Sequence, residues 1–268
     1  MRQVEDRYRV QSVDRAIDLI EILAVSPHAL TLTELARSGG GSKSSVFATL
    51  QTLTGRDLVR STGSGQDRRY QLGLGLARLG DVALGQVSFR DAALPVLRAL
   101  TAETGLTSRA AAWGGDCAVA IARVNGSTGI NFDLHMGSRE SLHSSSVGKA
   151  MLLSLPAETL RTILSSIPLP RHTPHTLVTA DVLTANLEQA RANGYAVDDE
   201  EDAADIICVG APIYDHQGTA VGAISVTRIK STVTPAEVHI LGTTTMRHAA
   251  RLSVELGWRG SHDSVIQN

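Results

Sequence analysis

The segment TLTELARSGGGSKSSVFATLQTL, residues 31–53, constrains this chain more than any other. It reads as two short amphipathic helices around a glycine turn, and a strand, turn, strand pattern follows it. Helix, turn, helix and hairpin is the layout of a winged helix-turn-helix, so DNA binding is the first function the sequence raises. Thr31 and Glu34 form a Thr-x-x-Glu capping box ahead of Leu32, Leu35 and Ala36, and the glycines at 39–41 are expected to supply left-handed geometry that ends the helix.

Residues 12–24 place Val13, Ala16, Ile17, Ile20, Leu23 and Ala24 at helical spacing, which predicts a core-packing helix before Pro27. A further helix is predicted over residues 42–54, with Val46, Leu50 and Leu53 facing inward. Its outer face then carries Ser44, Ala48 and Gln51, flanked by Ser45 and Thr52, with Lys43 at the entry. In a major groove Gln51 suits an adenine edge, while Lys43 and the serine hydroxyls suit phosphates. A polar face alone is equally what any small helical bundle shows. The stretches DLVRS (57–61) and RYQL (69–72) around STGSGQD favour a wing, and place Arg60, Arg68 and Arg69 where backbone or minor-groove contacts are made.

A chain of 268 residues is several times the size of such a domain and leaves room for a second core. The first 80 residues hold 11 Lys+Arg against 8 Asp+Glu, and the remainder 14 against 19, a mild polarity that suits a phosphate backbone at one end only. Two cysteines, Cys117 and Cys208, argue against a disulfide framework or zinc ribbon, and neither a signal peptide nor a membrane span is read, so a cytoplasmic protein is expected.

Beyond the wing, Leu74, Leu76, Leu79, Val82 and Ala83 continue a helical stripe, and Gly73, Gly75 and Gly80 lower its intrinsic helicity, which suggests a segment able to bend. Residues 89–103 form the next predicted helix, with Ala93, Leu94, Leu97 and Leu100 on one face. Short apolar runs follow, RAAAW, CAVAIARV and INFDL, with Asn125-Gly126 as a hairpin signal. A helix over 147–155 is entered through His143 and three serines, another covers 179–193 up to Gly194, and strands are predicted over 206–214 and 220–229. Thr234-Pro235-x-Glu237 opens a final long helix. The six acidic residues between Asp198 and Asp205 read as a solvated loop. Gly148-Lys149 is not a phosphate loop, because Ala150 replaces the required Ser/Thr. His143 has no second His or Cys at ligand spacing and reads as structural, so neither metal nor cofactor is expected.

The runs VQSVDRAIDLIEIL, LTLTELA, KSSVFATLQTL and RRYQLGLGLARLG resemble the N-terminal domain of IclR-type bacterial transcriptional regulators, and HSSSVGKAML and GYAVDDEEDAADIICVGAPIYD resemble the two most recognisable motifs of their effector-binding domain. Two positions depart from the usual pattern: Gly41 stands where leucine is usual, and Ala48 where arginine is frequent. The resemblance implies an α/β (α+β) chain with a winged helix-turn-helix, a linker helix and a GAF- or profilin-like antiparallel sheet flanked by helices. The corresponding boundaries are a tail at 1–10, a DNA-binding domain at 11–73, a linker helix at 74–90, an effector-binding domain at 91–258 and a tail at 259–268. It also implies a pocket for small organic acids or related metabolites, with Ser146 and Val147 at a helix start, Asp198, Cys208, Ser225 and Thr227, and Phe132 and Ile206 as apolar walls. Cys208 also fits a small buried hydrophobe.

The leading expectation is therefore a ligand-responsive transcription factor whose partners are double-stranded operator DNA and a small-molecule effector with a carboxylic acid. Homodimers are expected, because two recognition helices one helical turn apart read a palindrome, and the resemblance adds tetramers. A DNA-binding protein whose second domain only oligomerises is the alternative. An enzyme is disfavoured, since the chain has no Gly-x-Ser-x-Gly, His-Glu-x-x-His or Rossmann glycine motif.

Overall fold

The computed structural model describes residues 9–39, 41–85, 88–127 and 135–260. The expected strand at 130–134, with Phe132, lies outside the described residues. The chain divides into two compact units, Met1–Gln86 and Val87–Asn268.

The first unit holds α1 (Gln11–Val25), β1 (Leu30–Thr31), α2 (Leu32–Ser38), α3 (Lys43–Gly55), β2 (Val59–Thr62), β3 (Arg69–Leu72) and α4 (Leu74–Gly85). The Thr31–Glu34 capping box opens α2, and Ser42 caps α3 by accepting the Ser45 amide. The sheet order is β1-β3-β2, all antiparallel; β1 was not anticipated, being two residues that extend only because Leu30 pairs with Tyr70. Leu19, Leu23, Leu35, Val46, Leu50, Leu53, Val59 and Tyr70 form one buried cluster.

Three expectations in this unit gain detail from the structure, and the first is corrected. Only part of the apolar periodicity of α1 serves the core: Leu19 and Leu23 are buried, whereas Val13 and Ile17 are 54% and 49% exposed and Ala24 is exposed. The helix thus carries two apolar faces, one of them outward. Next, of the glycines expected to end α2 in left-handed geometry, Gly39 has φ −93° while its amide bonds Leu35 O, Gly41 has no positive φ, and Gly40 lies outside the described residues. Crowding is the better reason for Gly39, since a Cβ there meets Leu35 O at 3.0 Å and Leu19 Cδ2 at 3.2 Å. Finally, Gly73 and Gly75 have a steric reason beyond helix propensity, whereas an added Cβ at Gly80 meets nothing within 4 Å. Cβ atoms at Gly73 and Gly75 would lie 2.2 Å and 2.6 Å from the Asp57 carbonyl oxygen. Asp57 itself takes φ +58°, and its carbonyl accepts the Gly75 amide at 2.8 Å. These glycines let the chain pass close to the end of α3. The outward stripe of α4 remains apolar, with Leu74, Leu79 and Val82 exposed.

The second unit holds α5 (Phe89–Thr104), β4 (Thr107–Trp113), β5 (Cys117–Val124), β6 (Arg139–Ser141), α6 (Ser146–Leu153), α7 (Ala157–Ser166), α8 (Ala180–Asn193), β7 (Ala196–Asp199), β8 (Ile206–Tyr214), β9 (Ala220–Ile229) and α9 (Pro235–Glu255). Among the described residues the strands form one antiparallel sheet in the order β6-β5-β4-β9-β8-β7. Successive residues alternate faces. One face, with Ala110, Val209, Ala211, Ile213, Ile224 and Val226, packs on α5 and α9; the other, with Ala111, Ala196 and Ala223, packs on α6 and α8. The short elements β6, α7 and β7 were not anticipated. Most importantly, the acidic run is a solvated loop only in part: Asp199, Asp202 and Asp205 are exposed, but Asp198 lies on β7 at 2% exposure and Glu201 is 5% exposed.

Candidate functional site

In the first unit, Lys43, Ser44, Ala48, Gln51 and Thr52 are exposed along α3, opposite the buried Val46, Leu50 and Leu53. Several of their polar atoms already have local partners. Ser44 Oγ lies 3.0 Å from Ser42 Oγ, Thr52 donates to Ala48 O, and the half-buried Ser45 accepts from the Arg15 guanidinium of α1. Lys43 and Gln51 thus remain the longest polar side chains of this face. Arg60 is exposed on β2, and Arg69 is exposed on β3 while donating to Ala29 O at 3.2 Å. Arg68 is half-buried, and its Nε has no hydrogen-bond partner among the described residues. Sequence reasoning missed Phe47, which is 41% exposed on α3 and joins Lys43, Arg68, Thr31 and Thr33 around a cleft of about 740 Å³. Only its position beside the inward Val46 signalled it, and a wheel of polar residues overlooks an aromatic.

In the second unit, strand register brings the expected effector residues onto one sheet face. Asp198 pairs with Cys208 and Cys208 with Thr227, while Ser225 pairs with both Gly210 and Arg109. These positions differ by two along each strand, so all point to the α6 side. Ile206 lies on the same face of β8 and is half-buried. Helix α6 starts against this face because Gly210 has no side chain: a Cβ there would meet Ser146 O at 2.6 Å. Ser145 caps the helix by accepting the Gly148 amide at 3.1 Å. Ser146 is fully buried, and its Oγ has no hydrogen-bond partner among the described residues. Val147, by contrast, packs its side chain into the apolar cluster with Leu142, Ala150 and Met151, so only its backbone is available to a site.

The electrostatics are set by groups the sequence did not single out. Arg109 Nε donates to Ser225 Oγ at 3.0 Å, and Nη2 lies 2.9 Å from Glu140 Oε2 on β6. Burial opposes the Arg109 charge, but the fields of Glu140, Cys208, Asp198 and Asp202 outweigh it and hold the guanidinium more firmly protonated. Burial raises the Glu140 carboxyl despite Arg109. Asp198 Oδ1 accepts the Glu201 and Asp202 amides at 2.9 Å and 3.2 Å, yet burial, reinforced by Asp202, raises its pKa to about 7. Asp202 in turn accepts from Ser144 at 2.7 Å. Burial also pushes the Cys208 thiol up to about 12, and it donates to Thr227 Oγ1 at 3.3 Å, which makes it a small packed group and not a reactive thiolate. Lys149, fully buried on α6, is committed to Glu201 at 2.5 Å and Asn186 at 3.3 Å. His143 is buried with Nε2 2.9 Å from Pro170 O, a structural role.

A winged helix-turn-helix on one unit and a buried polar cluster on the other define a DNA-binding protein with a sensory domain. Residues 12–63 match the IclR helix-turn-helix domain, and residues 82–254 match the bacterial transcriptional regulator IclR C-terminal domain. The chain belongs to the IclR family and is a ligand-responsive, DNA-binding transcriptional regulator. It is 30% identical over 253 residues to the HTH-type transcriptional repressor AllR of Klebsiella pneumoniae, covering 94% of this chain and 92% of that one. It is 31% identical to the HTH-type transcriptional regulator BhcR of Paracoccus denitrificans, covering 93% and 88%. The Agobacterium tumefaciens repressor BlcR superposes with a TM-score of 0.74 at 26% identity, covering 94% and 99%, and the Thermotoga maritima IclR with 0.62 at 28%, covering 93% and 100%. No helix among the described residues is long and apolar enough to cross a membrane.

Proposed function

We propose that the second unit senses a small organic acid or related metabolite through Ser146, the amides at the start of α6, Asp198, Cys208, Ser225 and Thr227, with Ile206 as an apolar wall. The observation that carries this reading is the buried Ser146 hydroxyl, without a hydrogen-bond partner among the described residues, beside a sheet face crowded with polar groups. Folded proteins rarely leave such a group unsatisfied unless a ligand or water completes it. Phe132, outside the described residues, belongs to the same proposed site by sequence motif alone.

The first unit, residues 11–73 with the helix that follows, binds operator DNA through α3 and the wing, using Lys43, Ser44, Ser45, Ala48, Gln51, Thr52, Arg60, Arg68 and Arg69. It does so as a homodimer or a tetramer of two dimers. The exposed apolar residues Val10 ahead of α1, Val13 and Ile17 on α1, and Leu74, Leu79 and Val82 on α4, support pairing, because a monomer gains nothing by leaving such residues in water. Mobility shift of DNA from upstream of this protein's own gene tests the proposal, with metabolites screened by thermal shift. A ligand at 100 times its Kd adds about 2.7 kcal/mol of stability. Absence of any ligand that changes melting or operator affinity contradicts the sensory role.

A further inference from the structure

Lys149 spends its charge on Glu201, and of the two arginines paired across β4 and β5 on this face, Arg109 and Arg123, it is Arg109 that meets Ser225 and Glu140. Against it stand Glu140 at 2.9 Å and, farther off, Asp198 and Asp202. Glu140 is 8% exposed, and neither of its oxygens accepts a well-aligned hydrogen bond among the described residues, the Arg109 contact being an ion pair of poor alignment. Carboxylate oxygens only accept when ionised, so what Glu140 lacks is a donor. The Ser146 hydroxyl, fully buried and also without a partner among the described residues, can donate or accept.

A ligand bearing only a carboxylate satisfies one half of this set and aggravates the other. It finds the guanidinium and the serine hydroxyl, but it sets a second anion beside the buried Glu140 and brings that carboxylate no donor. A ligand that carries an ammonium beside its carboxylate leaves the charge balance unchanged and supplies the missing donors. We propose that the effector of this protein is a zwitterion of the amino-acid class, its carboxylate held by Arg109 and Ser146 and its ammonium by Glu140. Glu140 is then the residue that separates amino acids from the matching keto and hydroxy acids. The inference rests on the reading of this face as the effector site.

The test uses full-length protein, the twenty L-amino acids, and the 2-keto and 2-hydroxy acid matched to each. Thermal shift finds the ligands and calorimetry measures them. The expected result is stabilisation by at least one amino acid, with each of its deaminated partners bound at least tenfold more weakly. Glu140→Gln should then cut amino-acid affinity tenfold or more while leaving the ligand-free melting point of the DNA-binding unit unchanged. Tighter binding of a deaminated acid than of its amino acid overturns the zwitterion and leaves the acid sensor standing. A Glu140→Gln protein that folds and binds the amino acid as well as the parent also overturns it. Silence across the whole panel overturns the zwitterion and leaves the acid sensor to the wider metabolite screen. The wild-type comparison of matched ligands decides the matter even if the variant does not fold.

Discussion

Lys149 on α6 and Glu201 in the acidic segment meet at 2.5 Å, with side chains 0% and 6% exposed. Removing one partner strands a buried charge, whereas removing both need not. Lys149→Ala is therefore expected to cost about 3–5 kcal/mol, and Lys149→Met combined with Glu201→Leu distinctly less. Urea denaturation of the single and double variants checks this. Equal losses in both would show that the pair matters for its packing alone.

Asp198 makes stability depend on pH with a definite sign. Its carboxyl rises from 3.8 to about 7 on folding, first through burial. Stability tied to the neutral form is fully present below the unfolded value and is lost as pH rises through about 7, roughly 4 kcal/mol in all. Asp198→Asn keeps an oxygen for the Glu201 and Asp202 amides and cannot ionise. The variant should match or exceed the parent's melting point near pH 8 and lose that advantage near pH 4. Parallel melting curves across this range would exclude a neutral buried Asp198.

Gly73 and Gly75 crowd the Asp57 carbonyl, so an added methyl must displace backbone. Gly75→Ala should destabilise the DNA-binding unit by about 1–3 kcal/mol, although alanine favours helices. Calorimetric melting of the variant is the measurement. A higher melting point would mean that helix propensity, not the close approach, governs this position.

Lys43 and Gln51 should separate by phenotype on operator DNA. Lys43→Ala is expected to weaken binding to all sequences and to flatten the salt dependence by about one counterion, while Gln51→Ala relaxes discrimination at one base pair by about 1–3 kcal/mol. Affinities measured at several salt concentrations, on the operator and on single-base variants, distinguish the two. A Gln51→Ala protein with unaltered base preference would move the reading of sequence elsewhere on α3 or the wing.

What was legible in the sequence was what neighbours decide. The boxes Thr31/Glu34 and Thr234/Glu237 form as their spacing predicts, because each cap closes within one helical turn. Strands β8 and β9 are long enough to show their character alone. By contrast, β1 and β7 exist only through partners distant in sequence, Tyr70 for Leu30 and Gly210 for Ala196. The periodicity of α1 revealed that Val13 and Ile17 form an apolar face, but period alone does not say whether that face meets its own core. Likewise Arg109 and Glu140 stand on β4 and β6 with β5 between them, so their pairing depends on two strand registers at once. The family motifs led to Ser225 and Cys208, and the charges that govern their surroundings lay elsewhere.

Both cysteines of the chain are buried and unpaired, with thiols raised above the usual range. Cys208 lies inside the proposed sensing face, whereas Cys117 lies at the start of β5. The molecule thus carries a built-in clock: a maleimide added to native protein labels Cys208 only as often as that face opens. Its rate, followed with and without effector, would count openings directly.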